Sequence, residues 1–137
     1  MSTKTTHTFG TRLAAPIEVL RPLVEEALRA EGFGVLTEID VAATLKSRLG
    51  ISRPGYLILG ACNPQLAHRA LEAEPSVGAI LPCNVVLRED QHGTVVEALD
   101  PEAAMSMVGS AEVAAVARDA RRRLLRVIEA VERAGAE

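Results

Sequence analysis

YLILGACNPQLAHRALEAEPSVGAILPCNVVL, residues 56–87, holds two apolar runs, Tyr56–Ala61 and Val77–Leu87, joined by a short helical pattern. Each run brings one of the chain's 2 cysteines, and each cysteine precedes an asparagine: Ala61-Cys62-Asn63-Pro64 and Pro82-Cys83-Asn84-Val85. Short apolar runs bounded by turn residues read as strands. Between them Asn63 is a natural N-cap, Pro64 suits the first helical position, and Leu66, Ala70 and Leu71 give one apolar face. Glu74-Pro75-Ser76 ends that helix. If the two strands are neighbours, both thiols face one pocket. Pro82 lacks the N–H a ladder needs, which points to an edge strand or a bulge beside Cys83.

Toward the N-terminus, Ile51–Gly55 is a turn-rich loop, Val41–Leu49 a short helix closed by Gly50, and Gly34–Asp40 alternates as a half-buried strand. Ile17, Leu20, Val24, Ala27 and Leu28 recur at helical spacing after Pro16, and Gly32 is a stop. Pro22 either bends this helix or marks where its regular part begins. Thr3–Leu13 reads as a first strand. Toward the C-terminus, Arg88–Gly93 is a hairpin connection into Thr94–Leu99. Asp100-Pro101 caps a short helix carrying Met105, Met107 and Val108. After Gly109-Ser110, a long helix aligns Val113, Val116, Ala117, Ala120, Leu124, Val127, Ile128 and Val131 on one stripe. These elements predict an α/β domain of the α+β type. Helices cover one face of a largely antiparallel sheet in a two-layer sandwich, and a long C-terminal helix closes the layer. The open face, or a dimer covering it, is the natural place for a ligand.

With 137 residues the chain is expected to form one domain, large enough to bury a core without staples. The residues are 48% hydrophobic but only 2% aromatic, so the core is aliphatic, which argues against stacking platforms for single-stranded nucleic acid. A formal net charge of −3 argues against a phosphate-binding surface, and no nucleic-acid partner is expected. No apolar run approaches a membrane span, and MSTKTTHTFG lacks the apolar core of a signal peptide. With two cysteines in strand patterns, the expected location is the reducing cytoplasm, and a disulfide is disfavoured.

Gly32-Phe33-Gly34-Val35, Ile58-Leu59-Gly60-Ala61-Cys62-Asn63-Pro64 and Leu81-Pro82-Cys83-Asn84-Val85 follow one another in a way that resembles the bacterial and archaeal family called domain of unknown function 302. The resemblance covers nearly the whole chain, and the paired Cys-Asn motifs are its specific part. It implies a fold similar to the TATA-binding-protein type, with a curved antiparallel sheet backed by a long C-terminal helix. It also implies a link, through some relatives, to bacterial sulfur metabolism.

The candidate site is a thiol or ligand site built from Cys62 and Cys83, with Asn63, Asn84 and His68 as supporting polar groups. Cys62 precedes a helix start, where free N–H groups and the dipole favour a thiolate and lower its pKa. His68, one turn into the same helix, is placed to face back toward it, and Cys83 would act as a resolving thiol or second ligand. Against this, free cysteine commonly packs as a small hydrophobe, Asn63 is explained as a cap, and His68 as a surface residue. Cys62, Cys83 and His68 are the residues that would hold zinc or copper(I), but no C-x-x-C or H-E-x-x-H supports a metal, and no cofactor is indicated. The arginines at 118, 121, 122, 123 and 126 read as a solvated face, as do Glu38, Asp40, Lys46 and Arg48. Met105 and Met107 are residue types that can serve as soft metal ligands, but apolar packing or a dimer contact is their commoner use.

Three functions remain. The first, preferred on the sequence, is a thiol-dependent protein that binds a small molecule or sulfur species, and it expects a depressed cysteine pKa. The second is a non-catalytic homodimeric interaction module, which expects buried, inert thiols and an exposed apolar patch. The third is a small-molecule enzyme whose active site no motif reveals. A homodimer is expected, with a strand edge exposed at Pro82 as one surface to bury and the pairing surface itself left open.

Overall fold

The computed structural model describes residues 1–136. Six strands form one open antiparallel sheet in the order β1-β2-β6-β5-β4-β3. They are β1 (Ser2–Lys4), β2 (Thr8–Leu13), β3 (Gly34–Asp40), β4 (Tyr56–Cys62), β5 (Cys83–Asp90) and β6 (Gly93–Leu99). The helices are α1 (Ile17–Ala30), α2 (Val41–Leu49), α3 (Pro64–Ala73), α4 (Pro101–Met105) and α5 (Ala111–Gly135), and a 3₁₀ turn spans Pro75–Ile80. Among the described residues no helix is long and apolar enough to cross a membrane.

Alternation along the strands sets the layers. Leu57, Leu59 and Ala61 of β4 face the helices together with Val85 and Leu87 of β5 and Val96 and Ala98 of β6, and all are buried. Against them pack Leu20, Val24 and Leu28 of α1 and Leu124, Val127 and Val131 of α5. Fully burying each such leucine or valine stabilises the fold by roughly 1.5–3 kcal/mol. A second cluster joins α3, α4, α5 and the 3₁₀ turn through Leu66, Val77, Met105, Val113 and Val116. The α5 stripe is buried at all eight expected positions.

The ends of α1 and α5 follow the local chemistry of their residues. Gly32 takes φ +84 after α1. This lets Phe33 N–H reach the Leu28 carbonyl at 2.9 Å while Gly32 N–H reaches Arg29, so the last carbonyls are satisfied and Phe33 packs back into the core. The Ser110 hydroxyl accepts from Val113 N–H at 3.2 Å to start α5. Pro22 lies inside a continuous helix, with no break or restart there.

Four expectations change. Thr3–Leu13 is not one strand but the β1–β2 hairpin, because the Thr5 hydroxyl accepts from the His7 and Thr8 N–H groups at 3.2 and 3.0 Å and turns the chain. Val77–Ile80 belongs to the 3₁₀ turn, so the second cysteine strand begins at Cys83. Pro82 marks neither an edge nor a bulge. β5 is an inner strand between β4 and β6, and Pro82 stands just before its first paired residue, where the missing N–H costs no ladder bond. The free edges are β1 and β3. Last, β3 is not half-buried, since all 7 of its residues are exposed.

Candidate functional site

Ala61 and Cys83 are register partners across β4 and β5, so Cys83 shares the helix-facing side with Ala61. Cys62 follows at the last position of β4. Both cysteines line one small, mostly apolar cavity of about 20 Å³ where the two core clusters meet; Phe33, Leu66, Met105 and Val116 are among its walls. That is room for about one water-sized occupant. Cys62 is half-buried at its mouth and Cys83 is buried within; both are free thiols.

The electrostatics run opposite to the expected activation. Burial raises the Cys62 thiol above its ordinary pKa. Burial, with Cys62 close by, pushes Cys83 up to about 11. The helix start beside Cys62 fails to compensate for a local reason. Pro64 has no N–H, and the Leu66 N–H is already given to Asn63 Oδ1 at 3.2 Å. Of the first three residues of α3, only Gln65 keeps an N–H for any other acceptor.

Asn63 is buried and borders the cavity, but its polar atoms are used elsewhere. Its Oδ1 caps α3, and its Nδ2 donates to the Glu31 carbonyl at 3.4 Å. Arg123 Nη1 donates to the same carbonyl at 3.2 Å, and Arg126 pairs with the Glu31 carboxylate at 2.7 Å. Asn63 therefore ties the start of α3 to the end of α1, where α5 also anchors. Asn84 is exposed and pairs in register with Gly60, on the sheet face opposite the cavity. His68 does not turn toward Cys62: its side chain is 74% exposed, and its Nδ1 lies 3.9 Å from Glu72. The structure brings Cys62, Cys83 and Asn63 together and leaves Asn84 and His68 outside. It adds Met105, a residue that the sequence did not connect to the cysteines.

Among the described residues no three His, Cys, Asp or Glu side chains cluster closely enough to share a metal ion. Of the arginines at 118, 121, 122, 123 and 126 on α5, four are in ion pairs: Arg121 with Asp100, Arg122 and Arg123 with Asp119, and Arg126 with Glu31. These four guanidinium groups already face carboxylates.

The other distinctive surface is β3 with α2. From Gly34 to Ile51 no residue is buried. Leu36 is 67% exposed, Ile39 50%, Leu49 65% and Ile51 49%. A bulge between Val35 and Thr37 sets Leu36 outside the register with β4. Beside it, a groove of about 420 Å³ runs between α1 and β3, floored by Phe33, Val35 and Leu36 and rimmed by Arg21, Arg29 and Glu25.

The family model for Domain of unknown function DUF302 matches residues 9–131. A crystal structure of an uncharacterised conserved DUF302 protein from Bacillus stearothermophilus superposes with a TM-score of 0.84. Its sequence identity is 28%, and the match covers 93% of this chain and 98% of that chain. No curated protein matches the chain.

Proposed function

The chain belongs to the DUF302 family, and from that premise we propose that it works as a non-catalytic, self-associating binding module, a homodimer that covers the β3–α2 face. The observation that carries this reading is that no residue from Gly34 to Ile51 is buried. A 9-residue helix is marginal in water without a packed face, and α2 buries none of its residues within its own fold. The adjoining strand leaves a row of backbone donors and acceptors unpaired, next to exposed Leu36 and Ile39. A second copy is the fitting occupant, because an antiparallel edge pairs with itself about a two-fold axis, so each copy supplies what the other lacks. The neutral thiols favour this reading over an activated cysteine.

Light scattering coupled to gel filtration tests it. The wild-type chain is expected at twice its 14.5 kDa mass, and Leu36→Lys, at a position that is exposed in the single chain, at the monomer mass. A wild-type monomer at micromolar to millimolar concentration would remove the proposal.

A second reading keeps the thiols as a ligand pocket, favoured by the one cavity that both line. In this reading the domain captures a single small, soft species, with Cys62 at the mouth and Cys83 inside. Mild oxidation with diamide is its simplest probe. The pair should close to an intramolecular disulfide, losing two protons and two electrons as diamide is reduced to its hydrazine. Cysteines that stay reduced until the chain unfolds would end this reading.

A further inference from the structure

The chain holds 2 cysteines and 3 methionines. Met1 and Met107 are exposed, whereas Cys62, Cys83 and Met105 all line the same cavity. No carboxylate or imidazole lines it with them. Two thiols and a thioether in an apolar, atom-sized space are a soft donor set of the kind that selects a monovalent d10 ion over zinc, magnesium or calcium. We propose that Cys62, Cys83 and Met105 form a binding site for one copper(I)-like ion; this rests on the second reading above, that the thiols form a ligand pocket.

The parts have distinct tasks. Half-buried Cys62 meets the ion at the cavity mouth, buried Cys83 holds it, and Met105, on α4, supplies the neutral third ligand. Binding breaks two S–H bonds, forms two metal–thiolate bonds and releases two protons to solvent, and the metal keeps its oxidation state. Two thiolates and one monovalent ion leave the bound group with one net negative charge. Because both thiols are protonated at neutral pH, the ion competes with two protons, and affinity climbs with pH.

The test uses the reduced full chain, with silver(I) as the redox-inert probe and copper(I) supplied from a competing chelator under anaerobic conditions. One ion per chain is expected, with two protons released and an apparent affinity rising about 100-fold per pH unit between pH 6 and 8. Cys62→Ser and Cys83→Ser should each abolish stoichiometric uptake. Met105→Leu, which keeps the packing volume, should bind about tenfold or more weakly, and Met107→Leu should match wild type. Uptake that survives Cys83→Ser, or that ignores Met105→Leu, would overturn the site. So would no uptake by a chain whose cysteines still close to a disulfide with diamide, and in that case the thiol pocket stands without the metal. If neither ion nor disulfide forms, both fall together.

Discussion

The Thr37 side chain stands over Gly60, in the space where any other residue would carry its Cβ, and the Pro82 ring reaches the same space with its Cγ 2.9 Å away. Three strands' worth of chain meet at this point: β3 supplies Thr37, β4 supplies Gly60, and Pro82 leads into β5. Gly60→Ala should therefore destabilise the fold by about 1–3 kcal/mol, the usual cost of overpacking. Urea denaturation reads it directly, and adding Thr37→Ala should restore part of the loss. A Gly60→Ala chain as stable as wild type would mean that the β3–β4 pairing is looser than described.

Asn63 offers a sharper test, because its two polar atoms have different partners. As a simple helix cap it would tolerate aspartate, since Asn and Asp cap about equally well. Here Asn63→Asp replaces the donor to the Glu31 carbonyl with an acceptor. The expected order of stability is wild type, then Asp and Ala together, each about 1–2 kcal/mol lower. Asp matching wild type in thermal and urea melts would reduce Asn63 to a cap alone.

The buried thiol of Cys83 makes alkaline stability sensitive to one residue. Its pKa rises from 9.0 to about 11 on folding, so the folded chain keeps a proton that the unfolded chain has lost. Stability from this group is intact below about pH 9 and is lost as pH rises toward 11. The full effect is on the order of 2–3 kcal/mol at most. Cys83→Ala should flatten the decline between pH 9 and 11 relative to wild type, measured by urea midpoints at each pH. Parallel declines would show that Cys83 ionises freely in the folded state.

Much of the fold was legible because its signals were local and periodic. The α5 stripe, the Asn63-Pro64 helix start, the Gly32 and Gly50 stops and the pairing of the two cysteine strands all follow from spacing and capping chemistry. Pro82 misled because a proline before a strand's first paired residue looks, in one dimension, like a proline within it. β3 misled differently. GVLTEID alternates as a half-buried strand does, yet strand order puts it at the edge, where alternation no longer reports burial. At the site, adjacency of Cys62 to a helix start suggested an acidic thiol. What decides the sign is which N–H groups are already taken and how apolar the surroundings are, and neither is local in sequence. The link from Met105 to the cysteines was hidden for the same reason: it comes from the packing of α4 on α5 and the 3₁₀ turn.

Amide hydrogen exchange across residues 34–51, followed as a function of protein concentration, tests self-association through the β3–α2 face most directly. The expected result is protection of this segment that grows with concentration and is lost in Leu36→Lys, while the β4, β5 and β6 amides stay protected throughout. Exchange at 34–51 that stays fast and independent of concentration would contradict the account, leaving this exposed strand and helix without a second copy to cover them.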